Sequence, residues 1–401
     1  MVLRKERRFC LSCIVGMVMA ALPVLSSALT VTNLSDSGAG SLRDAVANTP
    51  AGGVVDFDPS VTGVITLASQ IVIDKALNIT GPGASTLAVV NGAGRVFWVN
   101  ASGGAVSISG LRLSGSGGPV TDNGGAILNV SSALTLDAVT INASSVVGDW
   151  RGGGIGGAIH SAWSAAGTSL TIRNSTISGN SATKAGAIYA YQQALVVENS
   201  TIVGNTASDS AGAISLEASW GGTIFRHSTI AGNTANIGSG VYARQNSLIE
   251  FVNTIVAGNN DQGNPSLVND LDRADGTASA TGSLFSEANT TPDINGTNVN
   301  NLFSTDPMLG ALANNGGTTM TMVPQTGSPA IDAVACVGLT PDQRLVARPQ
   351  GSLCDIGAVE VRVVPPRPPV TAIPTLSQWG LILLGLLAAG LGVRNMRRKL
   401  I

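Results

Sequence analysis

Residues 170–180 read LTIRNSTISGN, and the pattern returns as LVVENSTIVGN at 195–205 and as TIFRHSTIAGN at 223–233. A looser copy, IEFVNTIVAGN, occupies 249–259. Self-similarity at a period of about 26 residues is the signature of a repeat architecture, in which each repeat is one small structural unit.

A second repeated element consists of glycine before a small and an apolar residue. Its copies are GAI at 125–127, 157–159, 186–188 and 212–214, and GVY at 240–242.

The first element has the pattern of short, half-buried strands, because Leu170, Ile172 and Ile177 alternate with polar residues. No repeat has the spacing of an amphipathic helix.

Such a unit, about three strands joined by turns, buries too little apolar surface to fold alone. Stacked units solve this by pairing strand to strand, about 4.8 Å per coil, around a shared aliphatic core. We therefore predict an all-β, right-handed parallel β-helix, since parallel crossovers are generally right-handed. A β-propeller is excluded because its blades need about 40 residues or more. The equivalent asparagines should stack as a turn ladder: Asn180, Asn205, Asn233 and Asn259.

Composition agrees with a fold of many tight turns. The chain of 401 residues contains 50 glycines, whereas charged residues are 11% and aromatic residues 4%. The net charge is −2, and the repeats contain no basic patch, so a nucleic-acid partner has no electrostatic basis.

The N-terminus has the features of a signal peptide. Basic residues at 4, 5, 7 and 8 precede an apolar run at 9–25, and small residues lead to a predicted cut after Ala28. Two of the four cysteines would be lost with it. The other two, Cys336 and Cys354, would be in an oxidising compartment, which favours a disulfide over two free thiols.

The exposed edge of the first coil needs a cover. Residues 41–48 predict a short helix with Ser41 as N-cap and with Leu42, Ala45 and Val46 on one face. We expect this helix to cap the N-terminal end of the solenoid.

The C-terminus predicts a transmembrane helix. Residues 381–393 are almost entirely apolar, Trp379 lies at an interface position, and a proline-rich stalk precedes them. A buried helix of a globular domain is the alternative, but the stalk and the basic end disfavour it. The basic residues after this run are Arg394, Arg397, Arg398 and Lys399. By the positive-inside rule they stay in the cytoplasm, and the body of the protein is exported.

Several stretches resemble known families. The GGAI and NSTIxGN elements resemble coils of parallel β-helix repeat proteins, including polymorphic outer-membrane-type repeats, and residues 32–45 resemble the N-terminal segment of such exported bacterial proteins. The motifs DPMLG at 306–310, NNGGT at 314–318, GSPAID at 327–332, DQR at 342–344, RP at 348–349 and CDIGAVE at 354–360 closely resemble, in that order, the choice-of-anchor Q domain. Leu345 stands where that family's glycine is expected.

The tail is similar to the IPTL-CTERM sorting signal. This resemblance implies an exosortase-type protease as a partner, which would cut the tail and release the body or join it to a surface component. A permanent single-pass anchor is the alternative. The residues that match the signal are Ile373, Pro374, Thr375, Leu376, Trp379 and Gly380.

These features predict a division of the chain into successive segments. They are a signal peptide (1–28), a cap with the first coils (29–100), β-helix repeats (101–260), C-terminal coils with the choice-of-anchor Q region (261–362), a proline-rich linker (363–372) and the sorting signal with its transmembrane helix (373–401).

Many parallel β-helices are polysaccharide lyases or hydrolases, so an enzymatic function is an alternative to a binding or structural role. Hydrolysis needs two facing carboxylates, and only Glu198 and Glu250, two coils apart, approach one column. His227 stands in the column of Asn174 and Asn199, which favours a polar role in a turn over catalysis. The other candidate charged residues of the coils are Asp122, Asp137, Asp149, Arg173, Asp209, Glu217, Arg226 and Arg244.

No cofactor or metal site is expected. The acidic run from Asp270 to Gly276 lacks the spacing and the final glutamate of a calcium loop, so it reads as a solvated loop. Trp150, Trp163 and Trp220 lie in or near inter-coil loops, where they stack on sugars or cover the solenoid.

The sequence thus indicates an exported protein of the cell surface or outer envelope, initially anchored in the inner membrane. We expect no catalytic residues and a role as an adhesin or envelope structural protein, with a surface polysaccharide as a possible ligand. The alternative is a polysaccharide lyase or glycoside hydrolase of the parallel β-helix type.

Overall fold

The computed structural model describes residues 28–116, 123–148, 153–162, 167–219, 221–264, 268–287, 294–338, 341–362 and 376–397. The body is an all-β parallel solenoid of about nine turns, as predicted. Strands are numbered along the chain, and successive coils pair in parallel within four sheets. The signal-peptide prediction falls outside the described residues except for Ala28.

The first sheet has eleven strands and the second has nine. The first contains β1 (Ala28–Val31), β2 (Val54–Phe57), β5 (Leu77–Thr80), β8 (Ala105–Ser109), β11 (Ala133–Asp137), β14 (Ser169–Arg173), β18 (Ala194–Glu198), β22 (Thr223–Arg226), β26 (Leu248–Val252), β30 (Thr277–Thr281) and β32 (Asn298–Val299). The second contains β3 (Gly63–Leu67), β6 (Leu87–Asn91), β9 (Arg112–Gly115), β12 (Thr140–Asn142), β15 (Thr176–Ser178), β19 (Thr201–Val203), β23 (Thr229–Ala231), β27 (Ile255–Ala257) and β31 (Leu284–Phe285).

The third sheet has eight strands and the fourth has four. The third contains β4 (Ile71–Ile73), β7 (Phe97–Val99), β10 (Ile127–Asn129), β13 (Ile159–Ala162), β17 (Ile188–Tyr191), β21 (Ile214–Glu217), β25 (Val241–Arg244) and β29 (Leu271–Arg273). The fourth contains β16 (Ser181–Lys184), β20 (Thr206–Ser210), β24 (Thr234–Ala235) and β28 (Asn260–Asp261).

The core is a set of aligned apolar columns. Because side chains alternate along a strand, every second residue of each strand points inward and lies against its equivalent in the next coil. At the C-terminal end the core becomes aromatic. Phe225, Phe251, Phe285 and Phe303 follow one another with ring centroids 5.0, 5.4 and 5.6 Å apart, so no single coil has a core of its own.

The cap helix lies where the sequence predicts it. Helix α1 spans Leu42–Asn48, and the Ser41 hydroxyl accepts a hydrogen bond from the Asp44 N–H at 3.2 Å. Leu42, Ala45 and Val46 are buried in the main core. The helix contacts β1, β2 and β4 and covers the first coil.

The solenoid continues further than the repeat pattern. The sequence motif fades after Asn259, yet β30 and β32 extend the first sheet to Val299. The chain then runs through residues 302–361, here called the docked segment, which has isolated bridges such as Val334 with Cys354 but no further named strands in its described part.

A second unit begins at Arg362. Its helix α2 spans Leu376–Arg397, and the 19 residues Gln378–Met396 have a mean hydropathy of 1.5, which makes them long and apolar enough to cross a membrane. This segment contains the predicted apolar run. The predicted linker 363–372 lies outside the described residues.

Candidate functional site

The four repeated asparagines form a continuous buried ladder. The amide Oδ1 of Asn205 accepts from both the backbone N–H (3.0 Å) and Nδ2 (2.9 Å) of Asn180. In the same way, Asn233 Oδ1 accepts from the N–H and Nδ2 of Asn205, both at 2.9 Å. Asn259 Oδ1 accepts from the N–H and Nδ2 of Asn233 at 3.1 and 2.8 Å. Each Nδ2 also donates to a backbone carbonyl of the preceding coil, as from Asn205 to Ile177 at 3.1 Å. The side chain of each asparagine therefore supplies the hydrogen-bond acceptor for the turn N–H of the asparagine in the preceding coil.

Asp270 ends this ladder. Its Oδ1 accepts from the N–H (3.2 Å) and Nδ2 (2.8 Å) of Asn259, and its Oδ2 accepts from the N–H and hydroxyl of Ser286 at 2.8 and 3.0 Å. The side chain is fully buried. The interpretation of residues 270–276 as a solvated loop was therefore wrong for Asp270, because the last asparagine needs an acceptor that no further repeat supplies.

We expect Asp270→Asn to cost more stability at about pH 4 than at about pH 7. Burial raises the pKa of Asp270 to about 6, so the folded state holds the proton more tightly than the unfolded chain, in which the pKa is ~3.9. The contribution of this carboxyl to stability therefore falls as pH rises between these values. Asparagine does not titrate, so the deficit of the variant should shrink by up to about 3 kcal/mol.

Urea unfolding of both proteins at the two pH values measures this change. Burial also lowers the pKa of His160 and of His227 to about 4, but both proteins share those histidines, so their effect cancels in the difference. Asp275→Asn, at an exposed carboxylate of the same stretch, is the control. A deficit independent of pH would contradict the assignment.

A column of left-handed turn residues connects the coils to the docked segment. Asn199, His227 and Asn253 have φ values of 44°, 45° and 49°. Asn199 Nδ2 donates to the Pro341 carbonyl at 2.9 Å, and Asn253 Nδ2 donates to that of Ala335 at 3.0 Å. His227, fully buried, places Nε2 2.9 Å from the Val337 carbonyl. His227 thus has the polar turn role predicted for it, with its neutral ring as a donor.

The DQR motif fixes the docked segment to these coils. Gln343 is fully buried, and its Nε2 lies 3.1 Å from the Ser175 carbonyl and 3.0 Å from the Thr176 hydroxyl. Its Oε1 accepts from the Thr201 hydroxyl at 2.7 Å. The neighbouring Asp342 pairs with Arg344 at 2.8 Å. One motif therefore joins two adjacent coils.

A buried ion pair holds the end of the docked segment. Arg348 Nη1 lies 2.9 Å from Glu360 Oε2, and both side chains are almost fully buried. Arg348 Nη2 also donates to the Gly357 carbonyl at 2.8 Å, and Glu360 accepts from the Asp355 N–H at 3.1 Å. Burial raises the pKa of Asp355 to about 6. These motif residues have structural contacts with one another rather than an open site.

Cys336 and Cys354 form a disulfide, with their Cα atoms 5.1 Å apart. The bond closes a loop with a sequence separation of 18 residues, which in the chain-entropy model stabilises the fold by about 3 kcal/mol. Cys354 is buried in a small cluster with Ile255 and Ile356, so the bond lies directly against the coils.

The outer face of the third sheet is aromatic, which the sequence analysis missed. In register, Ile188 pairs with Ile214 and Ile214 with Val241. The alignment that set Tyr242 beside the isoleucines was therefore wrong by one residue. Since a shift of one reverses the face of a side chain, Tyr242 points outward. The correct alignment would have shown the outward column: Leu128, His160, Tyr189, Ser215, Tyr242 and Asp272.

A polar cluster lies beside these aromatic rings. Glu217 forms an ion pair with Lys184, and the Tyr189 hydroxyl donates to Glu217 Oε2 at 2.9 Å. The Lys184 and Glu217 side chains are 12% and 10% exposed. Burial, and then the charge of Glu217, raise the pKa of Tyr189. The register partners of Glu217 are Tyr191 and Arg244, so no carboxylate faces it from a neighbouring strand.

The charged residues of the first sheet do not form a carboxylate pair either. Arg226 Nη1 lies 3.2 Å from Glu198 Oε1, whereas Glu250 is in register with Ile224 and Ser279. Glu198 and Glu250 thus occupy different columns, and the expectation of one shared column was wrong. Asp137 accepts from Asn174 Nδ2 at 2.8 Å.

Several predicted residues lie outside the described part of the chain. Within the described ranges, no group of three or more His, Cys, Asp or Glu side chains is placed to hold a metal ion. Of the sorting signal, Leu376 lies in α2, and Trp379 is exposed. Arg394 and Arg397 also lie in α2. The residues not described are Asp122, Asp149, Trp150, Trp163, Trp220, Ile373, Pro374, Thr375, Arg398 and Lys399.

Comparison with known proteins identifies one segment. The IPTL-CTERM motif model matches residues 371–398. The PL6 family alginate lyase AlyGC is similar at 13% identity and a TM-score of 0.36, over 69% of this chain and 39% of that one. The pectate lyase Pel9A is similar at 12% identity and a TM-score of 0.34, over 84% of this chain and 97% of that one. Such values support no conclusion about activity, and no curated protein matches the chain. The chain is thus a parallel β-solenoid with a C-terminal IPTL-CTERM motif.

Proposed function

We propose that this chain is an exported surface protein, held first in the inner membrane by α2 and then processed at its IPTL-CTERM motif by an exosortase-type protease. The observation that carries this proposal is the order of parts at the C-terminus. The solenoid unit ends at Val361, the motif matches residues 371–398, and the apolar helix lies within that match. A sorting signal placed after a folded body delivers that body outside the membrane.

We further propose that the docked segment is a choice-of-anchor Q domain. Its motif residues support this, since Asp342, Arg348 and Glu360 form one buried hydrogen-bond network and the adjacent Gln343 bonds the coils. In this proposal the segment fastens the coils between Asn174 and Asn253 to one another, and the anchor follows it along the chain.

We infer a non-catalytic role, as an adhesin or an envelope structural protein. The Glu217 carboxylate is occupied by Lys184 and Tyr189, and the elevated pKa of Tyr189 disfavours its ionisation as a base. General acid–base chemistry needs groups that can exchange protons near the working pH. The cluster therefore supports binding better than bond cleavage.

Replacing Pro374 tests the sorting proposal. In cells that process the wild type, we expect Pro374→Ala to keep its C-terminal helix and to reduce the mature form at least tenfold, because the protease would no longer recognise the motif. Membrane fractionation and mass spectrometry of the C-terminal peptide measure this.

Pro366→Ala, in the proline-rich linker, is the matched control and should be processed as the wild type is. If wild-type protein from every fraction retains residues 373–401, the helix is a permanent anchor and the processing proposal fails.

A further inference from the structure

All three tyrosines of the chain lie on one outer face of the solenoid. The sequence contains Tyr189, Tyr191 and Tyr242 and no others. Tyr189 and Tyr242 share one outward column of the third sheet, and Tyr191 lies in the next column, two residues along β17. The rings of Tyr189 and Tyr191 are nearly parallel, at 9°, with centroids 6.4 Å apart. We call these three residues with Arg244 the tyrosine face.

The other two long sheets present different outer faces. The first sheet has non-aromatic residues in the corresponding outward column, where Ser107, Thr135, Thr171, Val196, Ile224 and Glu250 follow one another in register. The second sheet is contacted by the docked segment, as through Thr176 and Thr201. Tyr191 and Tyr242 are only partly buried. The third sheet is therefore the long sheet whose outer face offers solvent-accessible aromatic rings.

Arg244 gives this face a cation that is free to bind an anion. Its guanidinium lies over the Tyr242 ring, 5.7 Å from the centroid, and its side chain is exposed. Among the described residues no carboxylate lies within ion-pair distance of it. Its register partner Glu217 is paired with Lys184 instead. A guanidinium held by an aromatic ring is preorganised for bidentate binding of a carboxylate.

The buried ion pair gives the face its rigidity. Lys184, from the fourth sheet, bonds Glu217 and lies 5.4 Å from the centre of the Tyr189 ring, while Glu217 also fixes the Tyr189 hydroxyl. A buried ion pair is weak evidence for stability, since its desolvation offsets its attraction. Its effect here is to hold Tyr189 against Tyr191 and to pair the carboxylate that is in register with Arg244.

We propose that the tyrosine face binds a polysaccharide that carries carboxylate groups, with sugar rings on Tyr191 and Tyr242 and a carboxylate on Arg244. β17 and β25 are two coils apart, about 10 Å, so successive sugar residues along the solenoid axis can reach the rings and the guanidinium together. This inference deepens the proposed adhesin role and does not depend on processing of the sorting signal.

Affinity electrophoresis of the detergent-solubilised full chain tests it, with polygalacturonate as the probe. We expect the wild type to be retarded and Arg244→Gln to bind at least tenfold more weakly, because the bidentate contact is lost. Tyr191→Ala and Tyr242→Ala should each weaken binding by a similar factor through loss of the stacking surface. Arg173→Gln, an exposed arginine of the first sheet with the same change of charge, should bind within twofold of the wild type.

Fully methyl-esterified polygalacturonate, which has the same backbone without the charge, should bind at least tenfold more weakly than the acid form. Circular dichroism of each variant separates loss of binding from loss of fold. Absence of retardation, equal binding of the ester, or equal effects of Arg244→Gln and Arg173→Gln would each overturn the proposal. Release of unsaturated oligosaccharides would overturn the non-catalytic role while leaving the binding face intact.

Discussion

Replacement of Arg348 by methionine is expected to destabilise the protein by about 3–5 kcal/mol, because removal of one partner leaves a buried charge unpaired. The Arg348 guanidinium is the cation that neutralises Glu360, which is fully buried. Without it, the carboxylate keeps backbone donors such as the N–H of Gln350 at 2.9 Å, but no ion-pair partner among the described residues. The free energy of unfolding in urea, measured on the full chain, gives the loss.

The double variant Arg348→Met with Glu360→Gln separates the ion pair from simple packing. Because this variant contains neither charge, it should be more stable than Arg348→Met alone, and the two single effects should not add. Arg362→Met, at an exposed arginine beyond the network, should change stability by less than about 0.5 kcal/mol. A loss below about 1 kcal/mol for Arg348→Met would show that the pair is not needed to hold the docked segment.

Asn205→Ala should also cost about 3–5 kcal/mol, since each buried polar group left without a partner costs about 1–3 kcal/mol. The side chain of Asn205 accepts two hydrogen bonds from Asn180 and donates to Asn233 and to the Ile177 carbonyl. Alanine removes the acceptor of the buried Asn180 N–H and one bond each from Asn180 Nδ2, Asn233 Oδ1 and the Ile177 carbonyl. Asn180 Nδ2 keeps its bond to the Ile141 carbonyl, and Asn233 Oδ1 keeps the N–H of residue 205. Thermal unfolding followed by circular dichroism measures the effect.

Asn236→Ala is the matched control. Asn236 is an exposed asparagine whose Nδ2 bonds the Ser208 carbonyl of the preceding coil at 2.9 Å, so it shares a bond between coils with Asn205 but is exposed and lies outside the ladder. If both alanine variants unfold at the same temperature, the ladder contributes no more than a surface contact.

Periodic features could be predicted from the sequence because each repeat restates them. The stacked strands follow from alternation at a fixed period, and the cap helix follows from Ser41 and the apolar face of residues 42–46. Asn180, Asn205, Asn233 and Asn259 align because their spacing equals one coil. Here local chemistry and the repeat specify the same arrangement.

Non-periodic contacts could not be predicted in this way. Asp270 lies outside the repeats and meets Asn259 only through an intervening loop, and Gln343 meets Thr176 across 167 residues of chain. Prediction of the tyrosine face depended on the register. The alignment at Gly240 was wrong by one residue, which assigned Tyr242 to the inward-facing positions. The burial of these polar groups is determined by such distant contacts, and the repeat pattern contains no information about them.

The asparagine ladder also has a direction. Within the ladder, each side-chain amide donates to the asparagine of the next coil, so the amide dipoles align as they do along a helix, with the positive end at Asn259. The Asp270 carboxylate sits at that positive end, as an acidic residue does at a helix N-terminus. An additional coil bearing asparagine can therefore be accommodated between existing members, whereas one added after Asn259 would separate the array from its terminal anion.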